Sequence, residues 1–215
     1  MDPYCSWCYA GSENVLRLYI QYKNILPFEV VPAGMLTGEH TMEQLPEHAE
    51  ATIRQLKNVE KQTGARFGEA HHSSLRNQQM LMDSEIPCRA VIACRQVAPS
   101  SEIPFVHALL HARFNRGMNL NEPSTYLELC EVLDIDKQAF FQAFTSEESK
   151  EQTQKSFDQA DKLADTYPTL LYVDDDMTVR LEEGYEPFEI LQLRIERILK
   201  GEITGMEERL EDDNP

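Results

Sequence analysis

Asp2-Pro3-Tyr4-Cys5-Ser6-Trp7-Cys8-Tyr9 stands at the head of the chain, and its reading decides the fold. Apolar Val15, Leu18, Tyr19 and Tyr22 recur at helical spacing from Ser12 onward, so a helix begins beside the two cysteines and ends before Pro27. Two thiols three residues apart at such a start lie on one side of the first turn and can close a small disulfide ring. Unpaired main-chain N–H groups and the positive end of the helix dipole stabilise a thiolate at Cys5, which makes it both a nucleophile and a good leaving group. Cys8, one turn further in, is expected to be the buried resolving thiol.

The same spacing also makes half of a zinc site. Zinc needs four ligands, however, and the sequence has no second CxxC and no Cys-x-x-His, so no metal is expected. A distant stretch adds to the redox reading. Thr166-Tyr167-Pro168-Thr169-Leu170 puts a proline directly before an apolar strand, where it cannot donate a ladder hydrogen bond, and a cis Tyr167-Pro168 bond would explain its presence.

Outward from these two stretches, Phe28-Glu29-Val30-Val31 between Pro27 and Pro32 reads as a strand. From about Thr41 to Thr166 no β pattern stands out. One helix is expected over 41–63 with Gly64 as its stop, and another starts at Ser84 as N-cap with Pro87 in its first turn. Stripes of Val106, Leu109, Leu110 and Phe114, of Tyr126, Leu129, Cys130 and Leu133, and of Phe140, Phe141 and Phe144 mark three more, and a polar helix over 146–164 closes the lobe. Thr169 to Val173, an Asp174-Asp175-Asp176 turn and Thr178 to Leu181 then form a β-hairpin. Pro187 opens a last helix carrying Phe188, Leu191, Ile195 and Ile198, and Met206 to Pro215 is an acidic, solvated tail.

The order of helix, strand, helical insert, proline, hairpin and helix, with the Cys-Ser-Trp-Cys-Tyr and proline-loop marks, resembles the DsbA-type thioredoxin-like proteins. More narrowly it is similar to the FrnE-like branch of predicted protein-disulfide isomerases. The resemblance covers nearly the whole chain and implies an α/β, thioredoxin-like fold with a large all-helical insertion. The thioredoxin-like part takes 1–38 and 165–203, the insertion 39–164 and the tail 204–215. It also implies a thiol–disulfide oxidoreductase or isomerase in which Cys5 attacks, Cys8 resolves, Pro168 faces the sulfurs and Tyr167 offers main-chain hydrogen bonds to an extended substrate. Ser6 and Trp7 complete the candidate substrate-contacting set, with Trp7 expected to lie exposed beside the disulfide. Family members carry a central strand immediately before the Asp-Pro, whereas only Met1 precedes Asp2 here. The expectation is that Met1 is not the natural start, or that rearrangement or another chain fills the gap.

Partners follow from the chemistry and the charge. Protein or small-molecule thiols and disulfides are expected, with the redox disulfide in place of a cofactor and glutathione as a candidate co-substrate. The chain has 215 residues, 20 Lys plus Arg against 37 Asp plus Glu, and a formal charge of −17, which argues against nucleic acid. No apolar run approaches the roughly 20 residues that span a bilayer, and no basic, apolar leader opens the sequence, so it reads as cytoplasmic. The Ser6-Trp7 dipeptide carries no cation, which favours a reductase or isomerase over a strong oxidant. Two other readings are a glutathione-dependent isomerase or transferase of the same fold, which typically has one reactive residue in place of the pair, and a non-catalytic peptide-binding module.

The remaining chemistry-bearing residues read as structural. Cys94 and Cys130 lie on apolar stripes, and Cys88 and Cys94 are roughly 9 Å apart along one helix, too far to bridge. His107 and His111 share a helix face without a third ligand, and His71-His72 reads as a polar surface pair in a Gly-flanked loop.

Overall fold

The computed structural model describes residues 1–203. Helix α1 (Ser6–Tyr22) starts immediately after Cys5, as the spacing of its apolar positions requires. The segment after it departs from expectation, because 28–31 forms no strand. Val30 has its N–H bonded to Glu102 Oε1 and its carbonyl to Arg95, so side chains occupy the groups a ladder would use. Along this segment only Met1 pairs in strand fashion, with its ammonium donating to the Val31 carbonyl and its own carbonyl accepting from Ala33 N–H. Among the described residues the strands form two separate two-stranded sheets, and this segment belongs to neither.

The helical lobe contains a two-stranded antiparallel sheet that the sequence reading missed. β1 (Met42–Gln44) and β2 (Met80–Met82) pair antiparallel, Met42 opposite Met82. Three residues per strand is too few for alternation to register, and the pair is held by Gln44, whose amide donates to the Ser74 and Gln78 carbonyls. The helix expected over 41–63 is correspondingly shorter. Pro46 cannot sit inside a helix, so a 3-10 turn at Pro46–His48 precedes α2 (Ala49–Thr63), and Gly64 ends it in the left-handed conformation at φ 77°.

A second missed element is α3 (Glu69–Asn77), which places His71 and His72 in the interior rather than on a surface loop. It packs backbone to backbone on the end of α5 (Glu102–Phe114): a Cβ at Gly68 would sit 1.9 Å from the Asn115 carbonyl oxygen. The remaining helices match their stripes: α4 (Glu85–Val97), α6 (Pro123–Val132), α7 (Lys137–Phe144) and α8 (Glu147–Leu163). Ser146 caps α8 by accepting from Ser149 N–H. Ser84 stands at the N-cap position of α4, but its hydroxyl accepts from Leu36 N–H instead of capping the helix.

β3 (Thr169–Val173) and β4 (Thr178–Glu183) form the expected hairpin, followed by α9 (Phe188–Leu199). The acidic tail expected over 206–215 lies outside the described residues. Two cores result. One lies between α1, the hairpin and α9, with Leu18, Val179, Leu181, Leu191 and Ile195. The other runs from Tyr4, Cys5, Cys8 and Tyr9 into the helical lobe through Ile53, Phe105, Leu109 and Phe140, so the cysteine turn is seated on the lobe.

Candidate active site

Cys5 is the N-cap of α1 in extended conformation, and its Sγ accepts a hydrogen bond from Cys8 N–H at 3.2 Å. A thiol at this position receives one of the helix's unpaired donors, so the sequence-derived place of Cys5 holds. The hydrogen bond from the Cys8 side chain is the main influence lowering the Cys5 pKa, and the Cys8 N–H adds to it against the opposing effect of burial. Cys8 is driven well above the ordinary thiol range, first by burial and then by Cys5. Both are free thiols in buried residues, Cys5 6% and Cys8 3% exposed, and Cys5 is the more acidic of the two.

The turn before Cys5 is fixed by Asp2, to which the sequence reading gave no role. Fully buried, it accepts from Tyr4 N–H at 2.8 Å and Met35 N–H at 2.7 Å, and the Cys5 N–H closes the turn onto its carbonyl. An Asp two residues ahead of an N–H it can bond is the signature of an Asx turn, and Asp2-Pro3-Tyr4 carried it in the sequence. Tyr4 packs over a second unforeseen group. Arg113, 2% exposed on α5, lies 5.7 Å from the Tyr4 ring and donates to Gln44 Oε1 at 2.5 Å.

Tyr167-Pro168 is cis, and the Cys5 thiol faces the Tyr167 carbonyl oxygen at 3.5 Å. Residues 162 positions apart in sequence thus meet at one sulfur. Pro168 is buried against the Gly11 face of α1, and its carbonyl accepts from Gly184 N–H at 2.8 Å. Ser6 is half-buried beside Cys5. Trp7, expected to be exposed, is also half-buried and packs on the core that seats the cysteine turn. A cavity of about 460 Å³ opens under the site, lined by Cys8, Ser12, His107, Tyr167, Pro168 and Glu182 among others. His107 bonds Ser12 Oγ at 3.2 Å and lies 3.6 Å from Glu13, and the described residues contain no cluster that could hold a metal. Cys88, Cys94 and Cys130 are buried free thiols in the interior of the helical lobe.

Residues 1–166 match the family model of the DSBA-like thioredoxin domain, more than three-quarters of the chain. The chain belongs to that family. No curated protein matches the sequence significantly. Among solved structures, this DSBA-like chain superposes on a candidate protein disulfide isomerase from Nitrosomonas europaea with TM-score 0.78 and 24% identity, over 93% of this chain and 95% of that one. The cytosolic disulfide reductase DsbM from Pseudomonas aeruginosa gives TM-score 0.76 and 21% identity over 93% and 96%. Its complex with GSH gives 0.74 and 20% over 92% and 96%. At these identities the structural likeness establishes the fold. No described helix is long and apolar enough to cross a membrane.

Proposed function

We propose that this DSBA-like chain is a thiol–disulfide oxidoreductase that works chiefly as a reductase, with Cys5 as the attacking and Cys8 as the resolving thiol. The observation that carries the reading is the pair of bonds at Cys5 Sγ: the Cys8 N–H supports its thiolate, and the Tyr167 carbonyl marks where the cis-proline loop closes over it. The Cys5 thiolate attacks one sulfur of a substrate disulfide and expels the other as a thiol once protonated. Cys8 then attacks Cys5, the second substrate sulfur leaves as a thiol, and two electrons have passed from the dithiol to the substrate.

Several elements of the proposal follow. The Tyr167 main chain, Pro168, Ser6 and Trp7 border the sulfur and are its substrate-contacting residues. Protein or small-molecule disulfides are the substrates, and glutathione is the co-substrate that returns the pair to its dithiol form, which the GSH complex of the P. aeruginosa neighbour supports. A cytoplasmic setting is supported by that neighbour's description as cytosolic. The site carries no cation between its thiols to hold the thiolate as a strong oxidant requires.

Reduction of insulin disulfides with glutathione as the electron source tests the reading. Wild-type protein is expected to turn over and Cys5→Ser to lose all turnover. Equal rates for the two would overturn it.

A further inference from the structure

Resolution requires Cys8 to lose a proton, and burial makes that thiol reluctant to do so. We propose that the Glu182 carboxylate takes this proton when Cys8 attacks the mixed disulfide, an assignment that rests on the oxidoreductase reading. Glu182 sits on β4 with its side chain turned inward and is 1% exposed. One oxygen, Oε1, accepts from Glu186 N–H at 3.1 Å, while Oε2 is buried with no partner among the described residues. A native fold rarely keeps a buried carboxylate oxygen unpaired without use for it.

The geometry places this group beside α1, one turn from Cys8 and on the same cavity. Gly11 stands three residues beyond Cys8 and so on the same face of α1. A Cβ there would lie 3.5 Å from Glu182 Oε1 and 3.7 Å from Pro168, so the absence of a side chain at Gly11 leaves the carboxylate facing the helix one turn below the thiol. Cys8, Gly11, Pro168 and Glu182 line one cavity, roomy enough for water to carry a proton between thiol and carboxylate. The other candidate bases around it are committed. Glu29 pairs with Arg95 at 2.9 Å, His107 is engaged by Ser12 and Glu13, and both Asp2 oxygens accept main-chain N–H groups.

The charged groups that act on Glu182 are Glu186 and Arg194 from the turn and helix after β4, while Cys8 from α1, His107 from α5, Glu29 and Tyr167 are the other titratable side chains lining its cavity. Arg194 is taken by Glu186 at 3.1 Å and by the Leu181 carbonyl, so it leaves Glu182 without an ion-pair partner. Burial, opposed by the hydrogen bond from Glu186 N–H and aided by the Glu186 charge, pushes the Glu182 carboxyl up to about 7, where it exchanges protons at neutral pH. The step balances as follows. Glu182 takes the Cys8 proton, the Cys8 thiolate forms the bond to Cys5 Sγ, and the Cys5–substrate bond breaks with its electron pair on the substrate sulfur. That sulfur leaves as a thiol with the proton returned through the cavity.

A small aromatic disulfide, 5,5′-dithiobis(2-nitrobenzoate), separates the two chemical steps in stopped flow: attack by Cys5 releases the first coloured thiol and resolution by Cys8 the second. In wild type the second phase is expected to rise with pH through an inflection near 7. In Glu182→Gln it should slow about tenfold or more relative to the first phase at neutral pH and lose that inflection. An unchanged ratio and pH profile in a folded Glu182→Gln protein would overturn the proposal. Should that variant fail to fold, a wild-type second phase without an inflection between pH 6 and 8 would overturn it equally. Absence of the first phase in wild type would instead overturn the oxidoreductase reading itself.

Discussion

Cys8 N–H donates to Cys5 Sγ across 3.2 Å, so the resolving residue supports the attacking thiolate whose sulfur it later attacks in the mixed disulfide. Its side chain adds a second bond that lowers the Cys5 pKa, while Cys8 itself is pushed up by burial. Alkylation by iodoacetamide, followed by mass spectrometry across pH, is expected to label Cys5 with a midpoint below the 8.5 of a free thiol and to leave Cys8 unlabelled. Because the folded value is depressed, this group stabilises the reduced protein fully above about pH 8.5 and loses that contribution as pH falls through the Cys5 value. A Cys5 midpoint at or above that of a free thiol would contradict the assigned polarity.

Asp2 holds the cysteine turn by accepting from the buried Tyr4 N–H and from Met35 N–H. Asp2→Ala leaves both donors unpaired, at roughly 1 to 3 kcal/mol each. Urea unfolding should therefore show a loss of about 2 to 4 kcal/mol, accompanied by slower disulfide reduction, since Cys5 N–H closes onto the same residue. A variant with unaltered stability would mean that water replaces the carboxylate at no cost.

Glu182 has a folded pKa of about 7, above the roughly 4.3 of an unfolded Glu. A raised acid favours the folded state fully below the unfolded value, and that contribution is lost as pH rises from about 4 through 7. Glu182→Gln keeps the acceptor for Glu186 N–H and removes the ionisation, so it should be more stable than wild type by roughly 3 to 4 kcal/mol at pH 8 and equal to it at pH 4. The comparison needs only urea curves at the two pH values.

His71 titrates in the opposite sense. Burial first and the Arg113 charge second push its pKa down to about 3, so it is held neutral in the fold against Phe114 at 5.3 Å. The unfolded chain gains a proton near 6.5 and the folded one does not, so stability is lost as pH falls from 6.5 toward 3. His71→Phe keeps an aromatic ring against Phe114 and is expected to lose about 2 kcal/mol less than wild type between pH 6.5 and 4.5. Parallel acid profiles would show that the loss arises elsewhere.

The two cysteines, the proline loop, the C-terminal hairpin and most of the helices were legible because each is a local signal: a helix start, an X-Pro step before a strand, stripes at 3.6-residue spacing. What escaped the sequence depends on partners distant along the chain. The run 28–31 has strand composition, yet Glu102 and Arg95 take the main-chain groups of Val30. His71 and His72 look like surface residues until Gly68 and Gly117 let the backbones of α3 and the end of α5 touch, with Gly117 Cβ space only 2.4 Å from the Ala70 oxygen. Arg113 and Glu182 are charged residues in otherwise ordinary patterns, and only the packing around each reveals it as buried. Trp7 reads as exposed beside the disulfide, but it is half-buried because its ring leans on the core that seats the cysteine turn.

The reduction potential of the Cys5/Cys8 pair tests the central claim most directly, by equilibration against glutathione buffers read through the fluorescence of Trp7, the single tryptophan. A working reductase predicts one reversible two-electron transition nearer about −270 mV than about −120 mV, abolished in Cys5→Ser. No transition, or one that survives in Cys5→Ser, would contradict the claim that these two thiols are the active dithiol.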